Sequence, residues 1–487
     1  MGEHEKKILF ILASNEYIRN YITTGAFDTL AGRYRCGYLV SDNVTLRDKI
    51  GDVSGAIDSF KTVRKYEKLH YTFFNVLMWR YRDKSSAFYF RFLRSIEIDR
   101  LRWRGDLRSF LLNAARFLYS NLVRNRVALK CFLFGNRLLF NSYLKRYERR
   151  VPVNQDLREK IRKANPDLVV FPSSAYDPIG NDIVRICRPL GIKTLFLIDN
   201  WDNLSSKTIF WTKPDYLGVW GQQSKEHAIT IHGFDERRVF NIGTPRFDGY
   251  YEARKKSLVS HFDFPYVLFA GCSLGFDELW PLRALEEEIE RNRAIYGDLK
   301  VVYRPHPWRE PRFVNDRFEQ DRFKHVVLDP QMKPVFTAGG GGRLGTFQPD
   351  LSYYPVLLKQ AVFVVGPLTT MLVEALLFYR RVLALAYNDG LHLTSPHNAY
   401  KYYPHFRGIE DLRLVTLCFD KEKLAETFRR LFGEPQRIDT SEADRQILYF
   451  IYSDRRGYKS RLLDMVAHVL GDEERREGPI ARPAGNR

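Results

Sequence analysis

Short apolar runs, each closed by small or polar residues and followed by a helical pattern, recur along most of this chain. That alternation restricts the fold more than any other feature, because βα repeats build parallel sheets covered by helices. "KILFILA" at 7–13 reads as a buried strand, with a helix over 16–32 and a second strand near 36–41. The pattern resumes after residue 150 with "DLVVFPSS" (167–174), "KTLFLIDNWDNLSSK" (193–207), "DYLGVWG" (215–221) and "RRVFNIGTPRFD" (237–248), each a strand and turn. Helices over 181–191 and 222–233 lie between them, closed by Gly191 and Gly233. A second series opens with "YVLFAGCS" (266–273) and continues through strands at 300–304, 324–329, 361–370 and 380–389, with helices at 277–295, 352–360 and 371–378. Two such series predict an α/β protein of two doubly wound domains facing each other across a cleft.

The length of 487 residues agrees, being too great for one ordinary domain. The expected division is a first domain over 1–250, carrying a helical insertion at about 45–160, and a second over 262–435. The polar segment "GYYEARKKSLVSHFDF" (249–264) reads as the linker. Helices over 436–470 follow, with packing against the first domain as an option, and the charged tail 471–487 is expected to be disordered. The glycine run "AGGGGRLG" near 338–346 matches neither GxGxxG nor a P-loop and reads as a mobile loop, with folding over a ligand as an option.

Charge is unevenly spread. The whole chain carries +19, and residues 61–150 hold 22 Lys and Arg against 6 Asp and Glu, a net +16 in that segment. Its helical pattern is amphipathic, with Leu107, Phe110, Leu111, Ala114, Phe117, Leu118 and Leu122 on one stripe and Arg108, Arg116 and Arg124 off it. "YTFFNVLMWRYR" and "SSAFYFRFLR" add aromatic residues. A basic helix with an aromatic apolar face suits an anionic membrane interface, so residues 61–150 are expected to bind one; the plainer reading is an insertion packed on its own domain. Nucleic acid is the disfavoured partner, since no recognised RNA or DNA module is visible. No run of apolar residues is long enough to span a bilayer, and the N-terminus does not read as a secretory signal. The five cysteines are scattered without a CxxC pair, which argues against a zinc site or a disulfide framework and for buried reduced thiols.

Ligands of open parallel sheets sit at the carboxyl ends of the strands. Collecting polar residues there gives Gly271 and Ser273 after one strand, Arg304 and His306 after another, and Thr369 and Thr370 after a third, with Glu374 one turn into the next helix. Hydroxyls and free N–H groups at a helix start suit an anion. His306, held between Pro305 and Pro307, and Arg304 can balance charge on a leaving phosphate, and Glu374 can accept from ribose hydroxyls. In the first domain Asp199 and Glu16 follow strands and are acids at the same edge; the plain reading of "IDNWDNLSSK" is loop capping.

"YRPHPW" resembles the His-Pro motif of GT-B glycosyltransferases that build bacterial surface polymers, and "VGPLTTMLVEAL" resembles their hydroxyl pair followed by an acidic residue. The resemblance extends over roughly 165–390 and is nearest to CDP-glycerol glycerophosphotransferase-like enzymes, then to Kdo- and sialyltransferases. It implies two Rossmann-like domains and a phosphate-binding role for His306, Thr369 and Thr370; Lys207, which keeps the family pattern, and Gly271 at its strand end are the candidate supporting residues. The glycerophosphotransferases carry a Trp-His-Gly…Lys stretch where this chain has "WDNLSSK": Trp201 and Lys207 keep the pattern and Asp202 replaces the histidine proposed as base.

The expectation is therefore a glycosyltransferase acting by direct displacement. A nucleotide-sugar donor, cytidine rather than uridine, binds the second domain, and a glycan or lipid-linked acceptor binds the first. Asp202 is the preferred base, with Asp199 and Glu16 as rivals. No cofactor is expected, and metal independence follows from the lack of a DxD-like pair. The expected location is cytoplasmic, peripheral at the inner face of the membrane. Polyol-phosphate transfer and non-hydrolysing sugar-nucleotide epimerisation are the alternatives, and RNA binding by residues 61–150 the remote one.

Overall fold

The protein is represented by a computed structural model, which describes residues 5–50, 55–90, 111–112, 114–115, 119, 127–207, 209–273, 275–306, 318–333, 350–435 and 438–472. Two parallel sheets organise it. The first contains β1 (Lys7–Leu12), β2 (Arg35–Ser41), β3 (Ala56–Phe60), β4 (Leu168–Ser173), β5 (Lys193–Ile198), β6 (Tyr216–Val219) and β7 (Val239–Asn241), in the order β3-β2-β1-β4-β5-β6-β7. The second contains β8 (Tyr266–Ala270), β9 (Lys300–Arg304), β10 (Val326–Leu328), β11 (Val364–Pro367), β12 (Val382–Leu385) and β13 (Val415–Cys418), in the order β10-β9-β8-β11-β12-β13. Each sheet is an α/β doubly wound unit, as the alternation predicts.

Central strands such as β4 and β8 are buried along their whole length, because helices cover both faces. Both edge strands that sequence reasoning missed break this rule. β3 (AIDSF) buries only Phe60, and β13 (VTLC) buries only Cys418. β3 pairs with β2 in parallel register, so part of the expected insertion belongs to the first sheet.

Two further readings need correction. The helix expected over 16–32 is broken into Asn15–Tyr17, a wide π turn Ile18–Ile22 and Asp28–Ala31. Gly25 lies at φ 64° between the pieces, a left-handed conformation that a helix cannot contain. The expected linker contains the helix Asp248–Lys255, which packs against Tyr353–Gln360 of the second domain.

The helix Gly457–Leu470 places Tyr458, Leu462, Met465, Val466 and Val469 in the core of the first sheet. The insertion is tied down where it is described. Phe73, Phe74 and Leu77 of Glu67–Arg80 cluster with Phe140 and Tyr147 of Arg137–Arg150 and with Ile209 and Ile231. Phe90 reaches the core of the second domain, and the Ser86 hydroxyl donates to the Tyr402 carbonyl at 2.5 Å. The 107–122 stripe lies largely outside the described residues, as do the 338–346 loop and the tail from 473. All five cysteines are buried and unbridged. Among the described residues no helix is long and apolar enough to cross a membrane, and no His, Cys, Asp or Glu group is gathered to hold a metal ion.

Candidate functional site

Strand order reverses between β1 and β4 in the first sheet and between β8 and β11 in the second. At such a point adjacent loops diverge and leave a crevice at the carboxyl edge. The first crevice is lined by charge. Glu16 follows β1, Asp177 follows β4 and Asp199 follows β5. Asp177 Oδ2 accepts from the Tyr17 hydroxyl at 2.5 Å and from the Ser174 N–H and hydroxyl at 2.9 Å each. Asp199, 2% exposed, accepts from Asn20 Nδ2 at 2.8 Å. Between them Ala175 sits at φ 61°, a strained position for a residue with a Cβ.

Electrostatics separates the three candidate bases. Burial, then the negative charges of Asp199 and Asp177, push the Glu16 carboxyl up to about 7, against the opposing pull of Arg19 and Lys207. Burial also raises Asp199, with Asn20, Arg246 and Arg19 opposing it. Asp202 goes the other way. Burial alone would raise it, but Lys207 at 3.2 Å and the Ser206 hydroxyl at 3.0 Å outweigh that and hold it below the ordinary value. A carboxylate so neutralised is a weak proton acceptor. Asp202 also lies in an interdomain contact: Ser205 Oγ meets His405 Nδ1 at 2.6 Å, and Trp201 stands edge-on to His405, Phe406 and Phe450. Of the candidate bases, Asp202 is thus the one held down, by its Lys207 partner, and Glu16 the one pushed up to about 7.

The second crevice is built from small residues and hydroxyls. Gly366 on β11 faces Ala270 on β8 so closely that a Cβ there would come within 2.2 Å of the Ala270 carbonyl oxygen. Gly271 and Ser273 follow β8, and His306 stands half-buried two residues beyond β9. Thr369 is the N-cap of Thr370–Leu376, and its side chain makes no capping hydrogen bond. Thr369, Thr370, His306 and Ser273 thus share the carboxyl edge of one sheet, each half-buried.

Two expected donor ligands are engaged elsewhere. Arg304 is 2% exposed and bonded to Asp329 and the Tyr354 hydroxyl, with its guanidinium 4.3 Å from the Tyr354 ring centroid. Its charge is paired inside the second domain. Glu374, 6% exposed, accepts from the Tyr250 hydroxyl at 2.8 Å and pairs with Arg246 at 3.5 Å. That pair joins the two crevices, because Arg246 is also among the charges acting on Asp199.

Sequence reasoning missed Asp177, Asn20, Arg19, Arg246 and Tyr354. Asp177 was accessible to the same strand-end rule that found Asp199. Arg246 lies in "GTPRFD", a turn whose approach to residues 18–22 no local pattern reveals.

No protein-family model matches the chain, and no curated protein matches it. Among solved structures, a glycosyltransferase from Rickettsia africae ESF-5 aligns over 96% of this chain and 100% of its own, at 11% identity and a TM-score of 0.49. A UDP-GlcNAc 2-epimerase from Methanocaldococcus jannaschii aligns over 95% and 99%, at 10% identity and a TM-score of 0.49. The calicheamicin glycosyltransferase CalG4 aligns over 96% and 99%, at 14% identity and a TM-score of 0.46. At these identities and scores the likenesses bear on neither substrate nor reaction.

Proposed function

We propose that this protein is a GT-B glycosyltransferase that moves a sugar from a nucleotide-activated donor to a glycan or lipid-linked acceptor of a bacterial surface polymer. The observation that carries the reading is the geometry around Glu16, whose carboxyl burial and the Asp199 charge push up to about 7, in a first crevice joined to the glycine- and hydroxyl-lined second crevice through the Arg246–Glu374 pair. A general base works best when its pKa lies near the working pH. Glu16 removes the proton of the acceptor hydroxyl, whose oxygen attacks the anomeric carbon while the bond to the donor phosphate breaks. His306, Thr369, Thr370 and the N–H groups around them balance the departing negative charge. The reaction is proposed to need no metal, and a cytidine nucleotide is the preferred carrier.

The basic segment is proposed to meet an anionic membrane at the cytoplasmic face. Supporting this, Phe132 is 71% and Leu138 85% exposed, on helices that carry Lys130 and Arg137. Flotation with phosphatidylserine vesicles at low and high salt tests it, and no binding at low salt leaves only the packed insertion.

Thermal shift with CMP, CDP, UMP and UDP tests the donor. A ligand at one hundred times its dissociation constant stabilises by about 2.7 kcal/mol. Uridine binding without cytidine binding overturns the base preference, and no nucleotide binding overturns the function. A second reading, sugar-nucleotide epimerisation, is favoured by the grouping of Glu16, Asp177 and Asp199 about one crevice. Incubation in D2O without acceptor separates the two, since only epimerisation by proton exchange leaves deuterium on a sugar carbon.

A further inference from the structure

The wide turn after β1 places Arg19 about one turn beyond Glu16, so that both belong to one side of the first crevice. The turn Pro245–Phe247 lies against residues 18–22 and brings Arg246 to the same place. The two guanidiniums are close enough that Arg246 is the strongest charge acting on Arg19. Their protein partners are few. Arg19 Nε donates to Asn20 Oδ1 at 3.0 Å, and Arg246 Nη2 reaches Glu374 at the long distance of 3.5 Å. Arg246 Nε is buried and has no hydrogen-bond partner among the described residues. The side chain of Arg246 is only 10% exposed, stacked over Trp220 and Phe247 at 5.2 and 4.9 Å from the ring centroids. Buried polar atoms are normally satisfied, and two like charges held together in a half-buried crevice disfavour each other unless an anion joins them. Glu374 leads the charges that favour the protonated form of Arg246, whereas burial and then Arg246 lower Arg19, so Arg19 is the less compensated of the two.

We propose that Arg19 and Arg246 bind an oxyanion group of the acceptor, a phosphate or a carboxylate, beside the hydroxyl that Glu16 deprotonates, so that the acceptor is an anionic glycan. This rests on the glycosyl-transfer reading and goes beyond it by naming the acceptor's class. The planar fork of arginine matches either group through paired N–H donors. The acceptor is assigned rather than the donor because Arg19 shares its turn with the base, whereas the donor phosphate has His306, Thr369 and Thr370 at the other crevice. Arg246 then has two roles, closing on the acceptor anion and tethering Glu374 of the donor-side helix.

The test is calorimetry on the full chain with glucose 6-phosphate, glucuronate and glucose, at constant ionic strength, with and without saturating CDP or UDP. At least one anionic sugar is expected to bind tenfold or more tightly than glucose, and the choice between them identifies phosphate or carboxylate. Arg19→Gln is expected to abolish that preference, Arg19→Lys to retain part of it, and both to leave nucleotide affinity within twofold of wild type. Equal binding of the three sugars, or a preference unchanged in Arg19→Gln, overturns the proposal while nucleotide binding keeps the transferase reading intact. Loss of nucleotide binding in a folded Arg19→Gln protein also overturns it and assigns the pair to the donor phosphate. An anion preference that depends on Arg19, with no nucleotide bound by wild type, upholds the anion site and removes the transferase reading.

Discussion

The two crevices are built at the same topological position and filled in opposite ways. In the first, strand ends deliver Glu16, Asp177 and Asp199, with Arg19 and Arg246 beside them. In the second, they deliver Gly271, Gly366, Ser273 and the Thr369–Thr370 pair, and the charged groups Arg304 and Glu374 are withdrawn into buried pairs. A doubly wound sheet supplies only the location. Side chains decide whether that location moves a proton or admits a phosphate against backbone N–H groups. In the proposed reaction the first crevice does the former and the second the latter.

Glu16→Gln should break this contrast most severely. Turnover is expected to fall by about 10²–10⁴, the usual contribution of a general base, with nucleotide affinity unchanged. In the wild type the rate should rise with pH to a plateau, with a midpoint near 7 where Glu16 loses its proton, and steady-state rates from pH 5 to 9 check both points. Stability should respond with the opposite sign. The folded state holds the Glu16 proton up to about 7 and the unfolded state only to 4.5, so ionisation costs stability as pH rises between these values and the cost is complete above 7. The glutamine variant escapes this, gaining about 3 kcal/mol at most at pH 8 relative to its difference at pH 4. Denaturant titrations at the two pH values measure it, and an equal effect at both would remove the raised pKa.

Gly366→Ala probes the other crevice. The new methyl meets the Ala270 carbonyl, a backbone atom that cannot swing away, so β8 and β11 must part where the nucleotide is proposed to bind. A loss of about 1–3 kcal/mol is expected, together with weaker nucleotide binding, from equilibrium unfolding and calorimetry. Asp202→Asn should have the smallest effect on turnover, less than about tenfold, because Lys207 already neutralises the aspartate. A loss as large as that of Glu16→Gln would return the base to Asp202.

Legibility in the sequence followed burial. β1, β4, β5, β8, β11 and β12 are central, covered on both faces, and read as unbroken apolar runs. β3 and β13 are edges with one neighbour and much exposed surface, and their polar residues concealed them. The strand-end rule likewise found Glu16, Asp199, His306 and Thr369, because position along the chain places them at a carboxyl edge. It could not rank the acids. Asp202 looked best by resemblance, yet its ion pair with Lys207 is a matter of distance.

Local pattern alone thus determined the two α/β series, the crevice-bearing strand ends and the concentration of positive charge in 61–150, since each depends on neighbouring residues in sequence. Tertiary structure decided the rest. It brought Arg246 across from residue 246 to meet Arg19, turned Glu374 and Arg304 inward, and left Glu16 half-buried among other acids. Charge interactions weaken with distance and strengthen with loss of water, and both depend on groups hundreds of residues apart in the chain.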